Sequence, residues 1–280
     1  MDIFNIILVH PITNILVAFY QGLLFLHVPY PLGFSIILLT LAIRFVLLPF
    51  TAAQLRTSKK MQTLNPHISK LKEKHKGDAK MLQAETMKLY KEHGVNPAAG
   101  CVPALIQLPI IFALYGVLRQ IVDAKTVLTS INKVLYFPSL RLHSMWDTHF
   151  FGLSLAATPS KMIAHYGFLI LLIPVVTALL QMFQSKMMFS TQKPVESETA
   201  VALKDGEKPK KSTSDDFASA MQTQSIYIIP LVIGYSSFSF PLGLSLYWNT
   251  FTIFGIIQQY YMNGWGGLQE WIDKARGKTN

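Results

Sequence analysis

Five blocks of almost uninterrupted apolar residues leave this chain few ways to fold. They read GFSIILLTLAIRFVLLPF (33–50), GCVPALIQLPIIFALYGVLRQIV (100–122), HYGFLILLIPVVTALLQMF (165–183), SIYIIPLVIGYSSFSF (225–240) and GLSLYWNTFTIFGIIQQYYM (243–262). A helix of about 20 residues, rising 1.5 Å per residue, crosses the hydrocarbon core of a bilayer. Four of the blocks reach about that length, and the fourth does so by taking in Met221 to Gln224. In lipid the backbone must satisfy its own hydrogen bonds, so such segments are helices. Prolines 103, 109, 174 and 230 do not argue against this, because transmembrane helices tolerate proline. Only 14% of the residues are charged, where a soluble domain carries roughly 25%. The expected fold class is an all-α polytopic membrane protein with five transmembrane helices, over 32–53, 99–122, 164–185, 221–240 and 243–262. Pro241-Leu242-Gly243 is expected to turn the chain tightly between the last two.

The net charge of +10 invites a nucleic-acid reading, but the basic residues sit in the connections between apolar blocks. That is how membrane proteins mark their cytoplasmic side. The first and third connections and the C-terminal tail hold 19 Lys and Arg, against four in the connection 123–163. The expected topology is therefore multi-pass, with the N-terminus outside, 123–163 as an outer loop and 263–280 as a short cytoplasmic tail. No specific nucleic-acid sequence is expected as a partner. The lone cysteine, Cys101, excludes an intramolecular disulfide framework. The AAGC stretch around it mimics a lipoprotein cleavage box, but it follows a charged segment instead of opening the chain.

Three other segments carry information. Along 12–28, His10, Asn14, Val17 and Gln21 follow helical spacing and form a mostly polar stripe ahead of Pro29 and Pro31. Residues 1–31 are expected to form an amphipathic helix on the outer membrane face. In 54–98, Met61, Leu64, Ile68 and Leu71 set an apolar seam, Leu82 and Leu89 continue one on a second arm, and Lys76-Gly77-Asp78 separates the arms. Both arms begin and end at one membrane face, so a cytoplasmic helical hairpin is expected there. Segment 186–220 is rich in charge and poor in apolar residues, the composition of a partly disordered linker.

Arg44 lies inside the first apolar block. A central arginine costs roughly 2.5–3.5 kcal/mol on insertion scales. It stands 12 residues before Arg56, about 18 Å along the axis, too far for the side chain to snorkel easily to the surface. None of the five blocks contains Asp or Glu to pair with it. They do contain neutral polar groups. Gly33, Thr40, Arg44 and Thr51 share a face of the first span; Gln107 sits in the second; Thr177, Gln181 and Gln184 share a face of the third; Tyr247, Trp248, Asn249 and Thr252 lie in the fifth. Singly these would be helix-packing residues. With an unpaired arginine they point to a wet cavity that attracts an anion, lined by Arg44, Thr40, Gln107, Gln181, Tyr247 and Trp248. Proton or cation pumping lacks the acidic relay it would need. Cys101 has no evident base, the two GLSL runs are not nucleophile elbows, and His143 and His149 flanking Trp146-Asp147 make a poor metal site. No covalent chemistry, metal or cofactor is expected.

The stretches KKMQTLNP (59–66), LYKEHGVNPAAGCVPALIQLPI (89–110) and FPLGLSLYWNTFTIFGIIQQ (240–259) resemble the YidC/Oxa/Alb family of membrane protein insertases, over about 31–262. The family's arginine in the first core span falls on Arg44. The resemblance implies a five-helix core with a hydrophilic groove open to cytoplasm and lipid and closed outside. It implies an insertase and chaperone of the bacterial plasma (inner) membrane that takes nascent membrane proteins and releases their hydrophobic segments into lipid. Acidic residues of the translocated tail would be drawn toward Arg44. Candidate partners are the ribosome, the signal recognition particle pathway, the Sec translocon and membrane lipid. The resemblance implies the short bacterial type, expected to be without a large periplasmic domain. Its C-terminal stretch GGLQEWIDKARGKTN is short and nearly balanced in charge, unlike the long basic tail by which some members bind ribosomes. The competing reading is a small transporter or channel binding an anionic solute at Arg44; an odd number of spans and no visible internal repeat count against it.

Overall fold

A computed structural model describes residues 3–75, 78–96, 102–122, 127–188 and 224–277. Ten α-helices are seen among the described residues: α1 His10–Phe25, α2 Pro31–Lys74, α3 Ala79–Glu92, α4 Val102–Val122, α5 Val127–Val134, α6 Pro159–Tyr166, α7 Leu172–Met188, α8 Ile229–Ser239, α9 Leu242–Asn263 and α10 Gln269–Ala275. One small hairpin, β1 His149–Phe150 with β2 Leu153–Ser154, interrupts the helical order. The protein is an all-α polytopic membrane protein. Among the described residues three helical stretches are long and apolar enough to cross a membrane, namely Asn5–Phe25, Pro31–Met61 and Pro159–Met188, and Ile106–Gln120 is a shorter apolar helix. Large apolar side chains such as Phe45, Val46, Phe112, Leu231 and Tyr235 are more than half exposed, an outer surface that water would not favour and lipid does. The linker expected over 186–220 lies mostly outside the described residues, as do Gly77 and Cys101.

The chain divides into two compact units. The first comprises Met1–Pro49, Cys101–Gln181 and Pro230–Ile256. Its core gathers Leu16, Val17 and Tyr20 of α1, Leu32, Ile36 and Leu39 of α2, Leu114, Val117 and Leu118 of α4, and Leu244 and Tyr247 of α9. The polar stripe of α1 faces protein. Asn14 donates to the Val134 carbonyl at 2.9 Å and accepts from the Tyr136 amide at 2.7 Å, and Gln21 reaches the Arg141 carbonyl at 3.4 Å. A stripe of this kind needs no water to explain it, because backbone groups at the end of α5 and in the connection after it take its hydrogen bonds. The same connection is closed by Asn132, which exchanges two hydrogen bonds with the backbone of Leu142. Sequence periodicity gives no sign of the hairpin, since two-residue strands are too short to leave an alternating pattern. It is pinned by the Tyr20 ring against Trp146 at 4.4 Å and the Tyr20 hydroxyl accepting from the Asp147 amide. Just beyond it, the carbonyls of Leu155 and Ala157 accept from the amides of Gly243 and Leu242, holding the Pro241 turn.

The second unit comprises Phe50–Gly100, Met182–Ile229 and Ile257–Asn280. Here Met61, Leu64, Ile68 and Leu89 of the expected seam pack together, without Leu71 and Leu82. Leu64 and Ile68 of α2 meet Val95, with Met61, Leu89 and Tyr90 around them. Asp78 caps α3 by accepting from the Met81 amide at 3.0 Å, the capping role that acidic residues prefer at a helix start. The first span and the first hairpin arm are one continuous helix of 44 residues, α2, that includes Pro49 and Pro66. Each proline removes one intrahelical donor, yet the chain stays helical. After α9 the chain turns through Gly264 and Gly266, both with positive φ. A side chain on Gly266 would collide with the Met187 carbonyl, so only glycine permits this approach. The turn places the Trp271 ring 3.7 Å from the Lys186 ammonium.

Candidate functional site

The site assembles within the first unit on α2, α4, α7 and α9. Thr40 and Arg44 lie one helical turn apart on α2, and both are buried. The Thr40 hydroxyl donates to the Ile36 carbonyl at 2.6 Å, so its proton is already used within the helix. Arg44 is 4% exposed, although nothing ionised among the described residues answers its charge. It makes no ion pair among the described residues. Its partners come from α9. Nη2 donates to the Phe251 carbonyl, and the guanidinium carbon lies 3.4 Å from the centroid of the Phe251 ring and 5.6 Å from that of Phe254. Nε has no hydrogen-bond partner among the described residues.

Magnitudes explain how the arginine is held. A desolvated cation over an aromatic ring gains about 2 kcal/mol, and a hydrogen bond to a charged donor about 1.5–3 kcal/mol. Together these offset an insertion cost of roughly 2.5–3.5 kcal/mol. No carboxylate is required for Arg44 to stay charged and buried. Nε at least is left without a partner among the described residues, so the hydrogen-bonding capacity of the side chain is not exhausted.

The remaining polar residues form two groups on adjacent faces of α9. Tyr247, fully buried, accepts from the Gln107 amide of α4 at 2.9 Å, and its ring lies 5.9 Å from that of Phe251. Arg44, Phe251, Tyr247 and Gln107 therefore form one connected series. Gln181 of α7 accepts from the Trp248 indole at 3.3 Å and from the Thr252 hydroxyl at 3.2 Å. The spacing explains the division: residues 247 and 251 share one helical face, and 248 and 252 the next. Asn249, between them, keeps a buried side-chain oxygen with no partner among the described residues. Thr177 bonds back to the Ile173 carbonyl. Thr51, grouped with Arg44 by spacing, belongs to the second unit, where it accepts from Gln258 at 2.8 Å.

Sequence reasoning missed Phe251 and Phe254. Their signal was present, since both follow Tyr247 at helical intervals of four and seven. Aromatic residues in an apolar block read as lipid-facing or core, however, and only the pairing of α2 with α9 sets them over the guanidinium. His149 contacts Asp147 at 3.1 Å in an exposed turn, where the carboxylate also accepts the His149 amide. No group of three or more metal-ligating side chains occurs among the described residues.

The family model of the 60Kd inner membrane protein matches residues 24–267. The chain is 32% identical over 231 residues to the membrane protein insertase YidC of Fusobacterium nucleatum, covering 82% of this chain and 85% of that protein. It is 30% identical over 270 residues to the protein of the same name from Oceanobacillus iheyensis, covering 93% and 84%. The ALBINO3-like protein 1, chloroplastic, of Arabidopsis thaliana is 30% identical over 269 residues, which are 93% of this chain and 49% of that longer protein. With a family match across most of its length, this chain belongs to the 60Kd inner membrane protein family, the YidC/Oxa/Alb insertases that its motifs resemble.

Proposed function

We propose that this chain inserts membrane proteins by offering Arg44 to acidic residues in a translocated tail, while the hydrophobic segment behind the tail passes into lipid. The activity is membrane protein insertion, the one named for the bacterial relatives that match it over most of their length. The observation that carries the arginine mechanism is the holding of Arg44 by an aromatic face and a backbone carbonyl, with no carboxylate beside it among the described residues. Both contacts are weaker than a charge pair. Two unit charges 4 Å apart attract by about 4 kcal/mol at an effective dielectric of 20. An arriving carboxylate can thus outcompete the Phe251 ring and draw the guanidinium to itself. Thr40, Gln107, Gln181, Tyr247 and Trp248 are proposed to line the path, their mutual hydrogen bonds exchanging for water or peptide groups as a substrate enters. No covalent step is involved. The transporter reading is not favoured, since nothing in the relatives' names supports it.

The test is capture of the substrate. A photo-crosslinking residue at Trp248, on the face next to Arg44, should capture the tail of an arrested nascent single-span protein in native membranes. One at Phe45, 62% exposed on the lipid side of α2, should not capture the tail. Equal capture from both positions would sink the proposed path.

The bacterial inner membrane is the proposed location, with the N-terminus outside, residues 1–31 on the outer face, five spans, and the helical hairpin 54–98 in the cytoplasm. Ribosome, signal recognition particle pathway and Sec translocon are proposed partners, with the basic hairpin as the contact. Lys70 of the hairpin and Lys133 of α5 report the sidedness. In a Cys101→Ser background, a cysteine at 133 should react with an impermeant maleimide on intact cells, and a cysteine at 70 only after permeabilisation. Labelling of position 70 from outside would overturn this orientation.

A further inference from the structure

The tip of the β1–β2 hairpin has a chemistry that neither insertion nor folding explains. His149 pairs with Ser154 and Phe150 with Leu153, which leaves Phe151 and Gly152 as a two-residue turn. Both have positive φ, 48° and 84°. That backbone selects Asn-Gly or Gly-Gly, because a bulky side chain is strained there. The chain nevertheless has phenylalanine at the first position, and the ring is 69% exposed. A water-facing turn gains nothing from such a residue.

Its surroundings define its level in the membrane. Phe150 packs so closely on α2 that a side chain on Gly33 would collide with its ring, and Phe34 meets it edge-on at 5.6 Å. The Phe151 ring lies 5.1 Å from Tyr30, the residue before the first turn of α2. The Tyr166 hydroxyl also holds the turn, donating to the Gly152 carbonyl at 2.7 Å. The tip is thus clamped at the end of a membrane-spanning helix, where bilayer and water meet. Exposed apolar residues continue the surface on both sides in the chain: Phe25 and Leu26 precede Tyr30, and Phe168 and Leu169 follow Tyr166. Tyrosine is enriched at this depth because its ring is amphipathic, and an apolar ring such as phenylalanine's inserts at the boundary between headgroups and acyl chains.

We propose that Phe151 is a membrane-interface anchor, its ring seated at the boundary of headgroups and acyl chains beside the N-terminal end of α2. The partner is the bilayer surface. A protein partner would need about 800 Å² on each side, far more than a two-residue tip between two tyrosines presents. Anchoring would hold the hairpin, and through Leu155 and Ala157 the Pro241 turn, at a fixed depth.

The lone cysteine makes the test direct. In Cys101→Ser, a spin label is placed at position 151, or at His149 as a water-facing reference, and the full chain is reconstituted in vesicles of phosphatidylcholine and phosphatidylglycerol. Power saturation should show a label at 151 several-fold more accessible to oxygen, relative to a water-soluble nickel chelate, than a label at 149. Equal nickel access at both positions would place the tip in water and overturn the proposal. Spin–spin broadening at 151 that vanishes on dilution with unlabelled protein would mean a second copy, and would overturn it too. Should the cysteine variant fail to fold, Phe151→Trp retains a ring. Its added emission should then be quenched more by lipids brominated near the headgroup than by those brominated deep in the chain, and absence of added quenching would also sink the idea.

Discussion

Alanine at position 44 is expected to lower insertion of a single-span substrate with an acidic tail at least tenfold, the factor equivalent to about 1.4 kcal/mol. The same substrate with its tail acids neutralised should be affected far less. The reasoning is a difference of two interactions. A tail carboxylate gains about 4 kcal/mol from Arg44 at an effective dielectric of 20 and must displace an aromatic contact of about 2 kcal/mol, while the Nη2 bond to the Phe251 carbonyl is kept because Nε has no partner among the described residues. The remainder exceeds the tenfold threshold. Arg44→Lys retains the charge and should preserve the preference for acidic tails. Lysine lacks the planar group that lies against Phe251, so its activity should fall between alanine and arginine. The measurement is insertion of both substrates by each variant at matched protein abundance. If the alanine and lysine variants behave alike on both, charge is not what Arg44 supplies. If alanine hurts both substrates equally and lowers abundance, the arginine is a packing residue only.

Enlarging Gly234 should have a comparably large effect through stability. Gly234 of α8 sits against α7, where an added Cβ would lie 2.7 Å from the Ala178 Cβ and 3.2 Å from the Pro174 carbonyl oxygen. The second contact is backbone and cannot swing aside. Small residues at helix crossings let membrane helices approach closely enough for dispersion forces to hold them. Gly234→Ala is expected to cost about 1–3 kcal/mol by overpacking, and Gly234→Leu to cut abundance of folded protein in the membrane severely. Ala178→Gly removes the methyl group that makes the nearer of the two contacts and should restore part of the loss in Gly234→Ala. Thermal unfolding in detergent, with abundance in cells, decides the matter. Identical stability for Gly234→Ala with and without Ala178→Gly would show that the two helices do not depend on this approach.

Both predictions rest on features visible to different degrees in the chain itself. That helices of about 20 apolar residues would form was legible, because in lipid a backbone has few other ways to satisfy its hydrogen bonds. The seam of Met61, Leu64 and Ile68 was legible for a related reason: a helix repeats every 3.6 residues, and the apolar side must find cover. The polar stripe of α1 was legible as a stripe but not as to what covers it. His10, Asn14 and Gln21 have the spacing an interfacial helix would have, and the backbone carbonyls that take up Asn14 and Gln21 lie 120 residues away.

The unpaired charge of Arg44 and the absence of acidic residues from the apolar blocks are legible in the sequence alone, since both are matters of composition within a block. So is the polar character of Gln107, Gln181, Tyr247 and Trp248. Which of them meet is not. Gln107 and Tyr247 are 140 residues apart, Arg44 and Phe251 207 apart, and local periodicity carries no information about the register of one helix on another. The tertiary structure alone set an aromatic face over the guanidinium, joined Gln181 to both Trp248 and Thr252, and put an exposed phenylalanine in a left-handed turn beside Tyr30. The physical reason is one of range. Hydrophobicity and helical period act over one or two turns of chain, whereas cation–π contacts, buried hydrogen bonds and close helix crossings depend on which distant surfaces fit.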